Sequence, residues 1–199
     1  MKKNPVIINY AGANLSSLQF AIERIGYDVC ISSSHKKIKS ASHLFLPGVG
    51  AAGNAMNKIK SSALKELLLK TSQPTLGICL GMQLLFSESD EGSTKCLDII
   101  NGRATKFDNN SHIPVPHMGW NLIKNISKSM ITKNINGEQY GYFVHSYALP
   151  QCKSTVSTTN YGVTFTSIVE KNNFFGTQFH PERSSNYGEK ILKNFLEID

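Results

Sequence analysis

At 199 residues, 40% of them hydrophobic, the chain is long enough to bury a full core as one domain spanning residues 1–199. No apolar run approaches the ~20 residues that a bilayer span needs, and Met1 to Pro5 leads into a strand and not a secretory leader, so a cytoplasmic protein without membrane contact is expected. The formal charge of +7 excludes little by itself, but its basic residues are mostly scattered, with Lys36, Lys37 and Lys39 the one cluster of three, the pattern of a solvated surface and not of a nucleic-acid groove.

Val6-Ile7-Ile8-Asn9-Tyr10 reads as a buried strand. Asn14 is placed to cap a helix with Leu15, Leu18, Ala21, Ile22 and Ile25 at helical spacing, ended by Gly26. The intervening loop has one glycine, Gly12, where a dinucleotide fold uses three, and no phosphate loop is present, so no cofactor is expected. Tyr27 to Ser32 and His43 to Leu46 read as the next strands, the latter stopped by Pro47-Gly48-Val49-Gly50. A long helix, roughly Ala52 to Lys70, precedes a strand at Pro74 to Ile78 and an apolar helix opening at Leu80. This alternation predicts an α/β fold with a mostly parallel central sheet covered by helices on both faces. Beyond Cys96 come short β-like runs at Arg103 to Phe107, Tyr140 to Tyr147, Thr155 to Thr159, Phe165 to Glu170 and Phe174 to Phe179. They add short antiparallel strands in the second half, before a last helix at about Gly188 to Glu197.

Four cysteines, Cys30, Cys79, Cys96 and Cys152, show no C-x-x-C spacing, so neither a metal site nor a disulfide scaffold is expected. Cys79 stands apart from the others, because Gly77-Ile78-Cys79-Leu80-Gly81 places it between two glycines at a strand-to-helix turn. A turn that tight forces its central residue into a sparsely populated backbone conformation, and the glycines remove Cβ atoms where strand and helix approach. A helix N-terminus there favours the thiolate, the form that attacks carbonyl carbon. The bland alternative is a small buried cysteine in a Gly-rich turn.

Phe179-His180-Pro181-Glu182 supplies a base followed two residues later by a carboxylate. In extended backbone such residues share a side, so Glu182 reaches the imidazole of His180 and fixes its tautomer. Ligands of parallel sheets gather at strand C-terminal ends, where both Cys79 and His180 would emerge. The Pro47 to Gly50 loop is the candidate oxyanion donor, through backbone N–H groups at Gly48, Val49 and Gly50 beside that of Leu80. His117 and His145 read as hydrogen-bonded structural histidines, whereas His35, His43 and His112 show no site context.

The Pro47 to Gly50, Gly77 to Leu85 and Gln178 to Glu182 blocks resemble the signatures of class I glutamine amidotransferases. Pro116-His117-Met118-Gly119-Trp120-Asn121 and Tyr142-Phe143-Val144-His145-Ser146-Tyr147 narrow the likeness to the glutaminase subunits of imidazole glycerol phosphate synthases. The resemblance runs nearly end to end. It implies a Cys79, His180, Glu182 triad that opens L-glutamine as a thioester, with Gln83 and the backbone at Ser146 and Tyr147 holding the substrate. From the residues alone, Gln83 fits a solvent-facing helix position equally well. The resemblance also implies a (β/α)8-barrel partner in a heterodimer, which receives the ammonia. Pro116, Met118, Trp120 and Asn121 are the interface candidates, with core packing the alternative for Met118 and Trp120.

Departures from the pattern lie outside the triad: Ala11 and Ala13 replace glycines of the first loop, 96–102 is looser than usual, and Arg183 stands where lysine is frequent. They leave open a paralogous glutaminase subunit that feeds another amination, such as that of surface-polysaccharide sugars. A stand-alone cysteine hydrolase is the further alternative, although α/β-hydrolases place the acid before the base, the reverse of the order here.

Overall fold

Consecutive apolar residues in the first strands require cover on both faces of a sheet. In the computed structural model, which describes residues 3–10, 15–108 and 113–199, they receive it. The Asn14 cap, the Gly12 loop and His112 lie outside the described residues.

The first half runs β1 (Val6–Ile8), α1 (Ser16–Arg24), β2 (Cys30–Ser32), α2 (His35–Lys39), β3 (Leu44–Gly48), α3 (Ala52–Ser61), α4 (Leu64–Lys70), β4 (Thr75–Cys79) and α5 (Leu80–Leu84). The second half runs β5 (Phe86–Ser89), β6 (Thr94–Lys95), β7 (Ile100–Lys106), β8 (His117–Asn125), β9 (Gln139–His145), β10 (Tyr147–Ala148), β11 (Thr155–Tyr161), β12 (Val163–Lys171), β13 (Phe174–Thr177) and α6 (Ser185–Leu196). A nine-stranded sheet has the order β2-β1-β3-β4-β13-β12-β11-β8-β9. Its first five strands are parallel and the other four continue it antiparallel. A four-stranded sheet, β10-β7-β5-β6, lies apart, with β5 and β7 parallel and the outer strands antiparallel.

Strand alternation divides the interior in two. Ile7, Phe45, Leu76 and Phe175 pack with Leu18, Ile22, Ile191 and Phe195 of α1 and α6 on one face. Val6, Ile8, Leu44 and Leu46 pack with Ile38, Met56, Ile59, Leu64 and Leu68 of α2, α3 and α4 on the other. The expected α/β class with helices on both faces is what forms. Among the described residues no helix is long and apolar enough to cross a membrane.

Several elements differ from the sequence reading, which placed none at α2, β5, β6 or β8. The helix expected over Ala52 to Lys70 is two helices, because the hydroxyls of Ser61 and Ser62 turn back onto the carbonyl of Lys58 and Ala63 takes a left-handed φ of 52°. The helix after Cys79 stops after five residues, its last carbonyls claimed by the N–H groups of Leu97, Ile99 and Ile100. The antiparallel strands are not all short: β8 and β12 each have nine residues.

Candidate active site

Register assembles the site. Gly48 at the end of β3 lies directly opposite Cys79 at the end of β4, and Ile78 lies opposite Thr177, three residues before His180. Three neighbouring parallel strands therefore deliver the loop, the thiol and the base to one C-terminal edge.

Cys79 has φ 55° and ψ −113°, a sparsely populated conformation for a residue with a side chain. It is held there because β4 and α5 approach within a backbone's thickness. A Cβ on Gly77 would stand 2.6 Å from the Gly81 oxygen. The Cys79 sulfur lies 3.6 Å from the carbonyl of Val144 and receives the amide of Gln178 at 3.8 Å.

His180 remains extended, but Pro181 to Arg183 form a 3-10 turn, so Glu182 reaches it by a turn and not along a strand as the spacing had suggested. The contact forms all the same, His180 Nδ1 donating to Glu182 Oε1 at 2.8 Å. The backbone of His180 is clamped on both sides: its N–H donates to Tyr142, and its carbonyl accepts from the Ser184 hydroxyl at 2.7 Å. Burial alone would push the imidazole down, but hydrogen bonds and charge from Cys79 and Glu182 outweigh it and raise the pKa to about 10. At neutral pH the imidazole is therefore protonated, poised between sulfur and carboxylate.

A cavity of about 350 Å³ opens onto these groups. Its walls include Gly48, Val49, Gly50, Cys79, Leu80, Gln83, Pro116, Ser146, Tyr147 and His180, which brings the expected nucleophile, base, loop and substrate clamp to one place. Glu91 also lines it, a residue the sequence reading missed. Its carboxylate accepts the N–H of Ala52 at 2.7 Å and caps α3 from outside the helix. A lone carboxylate after an apolar helix carried no sequence signal of that role. Gln178 was also missed, although its place two residues before His180 puts it on the same side of the chain.

Gln83 is buried, not solvent-facing, and its amide donates to Tyr147 O at 2.9 Å and Gln178 Oε1 at 3.0 Å. Met118 and Trp120 alternate outward on β8, with exposures of 63% and 54%, and Arg183 lies over the ring of Tyr142, which pairs with Trp120. Asn121, grouped with them by sequence, points to the opposite face, where its amide bonds His117 and Asn160. Pro116 lines the cavity. Among the described residues no group of three or more His, Cys, Asp or Glu is arranged to hold a metal ion.

The family model described as glutamine amidotransferase class-I matches residues 7–198. The chain belongs to the class-I glutamine amidotransferase family. Relatives within it include the "Imidazole glycerol phosphate synthase subunit HisH" of Idiomarina loihiensis, 45% identical over 195 residues and covering 98% of each chain. The protein of the same name from Pectobacterium atrosepticum is 46% identical over 194 residues, covering 97% of this chain and 98% of its own. Among solved structures, PurLQS from Thermotoga maritima superposes with a TM-score of 0.75 at 18% identity, covering 98% of both chains, a likeness of fold alone. As a class-I glutamine amidotransferase, the chain is an enzyme.

Proposed function

We propose that the chain, acting as one cytoplasmic domain over residues 1–199, is the glutaminase subunit of an imidazole glycerol phosphate synthase. The observation that carries this reading is the strained Cys79 beside a protonated His180 held by Glu182, facing a cavity of substrate size. The named relatives, similar over almost their whole length, support the pathway.

Cys79 sulfur attacks the side-chain amide carbon of L-glutamine, and negative charge collects on the carbonyl oxygen. Backbone N–H groups of Gly48, Val49, Gly50 and Leu80 receive that oxygen, each such donor contributing ~2.7–4 kcal/mol to the transition state. His180 passes its proton to the departing nitrogen, releasing ammonia and leaving a thioester. The neutral imidazole then takes a proton from water, hydroxide opens the thioester to glutamate, and the free Cys79 sulfur and protonated imidazole are restored. Gln83 and the backbone at Ser146 and Tyr147 hold the substrate, and the Glu91 carboxylate matches the α-ammonium of an amino acid.

Ammonia protonates in bulk water, so the chemistry favours delivery within a heterodimer to a (β/α)8-barrel cyclase subunit. Met118 and Trp120, exposed on β8 beside Pro116, are its docking anchors. The test is to reconstitute the two subunits and follow product formation driven by glutamine or by ammonium. With Cys79→Ala, glutamine-driven turnover should vanish while ammonium-driven turnover persists. Unchanged glutamine use by that variant, or esterase activity without glutaminase activity, would sink the reading.

A further inference from the structure

A single hydrogen-bonded chain crosses the protein from β8 to the nucleophile. Asn121 Oδ1 accepts from the N–H of Leu122 at 2.8 Å and its Nδ2 donates to Asn160 O at 3.0 Å, which fixes the amide's orientation. The same Nδ2 lies 3.2 Å from His117 Nε2, so that ring nitrogen is an acceptor. The His117 proton is then on Nδ1, which donates to His145 Nε2 at 3.0 Å. His145 in turn must carry its proton on Nδ1, and it donates to Tyr147 O at 2.8 Å. That carbonyl also accepts from Gln83, whose other amide hydrogen goes to Gln178, whose own amide reaches the Cys79 sulfur.

The surroundings hold both rings neutral. His117 lies between the faces of Phe143 and Tyr161, at centroid distances of 4.8 and 4.0 Å, and His145 packs against Phe107 and Phe165. Burial pushes His117 down to about 4 and His145 to about 3. With one tautomer available to each ring, every donor in the chain has one acceptor, and no member turns without orphaning its neighbour.

We propose that His117 and His145 are positioning residues for glutamine hydrolysis, fixing through the Tyr147 carbonyl, Gln83 and Gln178 where the Cys79 sulfur and the Ser146 to Tyr147 backbone stand. A corollary concerns Gln83. Both its amide hydrogens are committed inside the protein, so it meets substrate only through its carbonyl oxygen, as an acceptor. The proposal rests on the glutaminase reading.

Two measurements decide it. Nitrogen-15 NMR of the histidine side chains in the intact chain should show His117 and His145 neutral at pH 6, each protonated on Nδ1. Glutamine kinetics in the reconstituted heterodimer should show His117→Phe, which keeps an aromatic ring but no donor, raising KM about tenfold or more with a smaller change in kcat. His117→Asn, which restores an N–H near the Nδ1 position, should return KM to within about threefold of the parent. An Nε2–H tautomer on either ring, or equal KM for the Phe and Asn variants, overturns the positioning role. Correct tautomers in a chain that turns over no glutamine in any assembly would overturn the glutaminase reading, and the positioning role with it.

Discussion

Gly81 and Leu46 approach so closely that a Cβ on Gly81 would stand 1.7 Å from the Leu46 carbonyl oxygen. The obstacle is backbone of the adjoining strand and has no rotamer to adopt, so Gly81→Ala must displace α5 or β3. Overpacking of this kind costs ~1–3 kcal/mol or more. At ~2–4 °C per kcal/mol for a chain of this size, the melting temperature should fall by roughly 5 °C or more, measured by calorimetry. An unchanged melting temperature would contradict the packing described for the turn.

Glu182→Gln keeps an acceptor for His180 Nδ1 but removes the charge that helps hold the imidazole up at about 10. The pKa should move down toward the ordinary 6.5, leaving less of the imidazolium proposed to protonate the departing nitrogen. We expect kcat at pH 7.5 to fall by about 10²- to 10⁴-fold, with the basic limb of the pH–rate profile shifted to lower pH. A profile that superimposes on the parent's would show that Glu182 contributes packing alone.

Stability should peak near neutrality, with a steeper acid limb. His43, His117 and His145 are held neutral by burial, with pKa values lowered to about 4, 4 and 3 against 6.5 when unfolded. As pH falls below about 6.5 the unfolded chain binds protons the folded chain refuses, so their contribution is lost at up to ~1.4 kcal/mol per pH unit for each histidine. His180 has the opposite sign: with its pKa raised to about 10, its contribution is complete below about 6.5 and is lost as pH rises toward 10. Urea denaturation at half-unit steps from pH 5 to 9 measures both limbs, and a profile flat from 5 to 6.5 would refute the neutral assignment of the three buried rings.

Trp120→Ala and Asn121→Ala, neighbours in sequence, should separate binding from stability. Trp120 is exposed, so its removal should leave the melting temperature nearly unchanged while weakening binding of the proposed cyclase subunit by ~2 kcal/mol or more, roughly 30-fold. Asn121 turns to the other side of the strand, and its loss strands the buried His117 Nε2, so stability should fall by about 1–3 kcal/mol. Isothermal titration and thermal melting of both variants make the comparison.

Much of this was legible before any coordinates. Apolar runs ended by Gly and Pro located the parallel strands, and the spacing of Gly77, Cys79 and Gly81 announced the strained strand-to-helix turn because its geometry depends on residues close in sequence. The break at Ala63 escaped because Ser61 and Ser62 are compatible with a helix until their hydroxyls turn back onto Lys58. Gln178 and Glu91 escaped for another reason: their roles exist only once the fold sets one beside the sulfur and the other in the wall of the cavity. The inward turn of Asn121 was accessible in principle from the two-residue period of β8, had that segment been read as a strand.

That two-residue period separates two kinds of constraint on one strand. Positions 117, 121 and 123 face the interior, while Met118 and Trp120 face solvent. Substitutions on the outward set leave the hydrogen-bonded interior intact, so the outward face of the strand is free to diverge while the buried network beneath it is inherited unchanged.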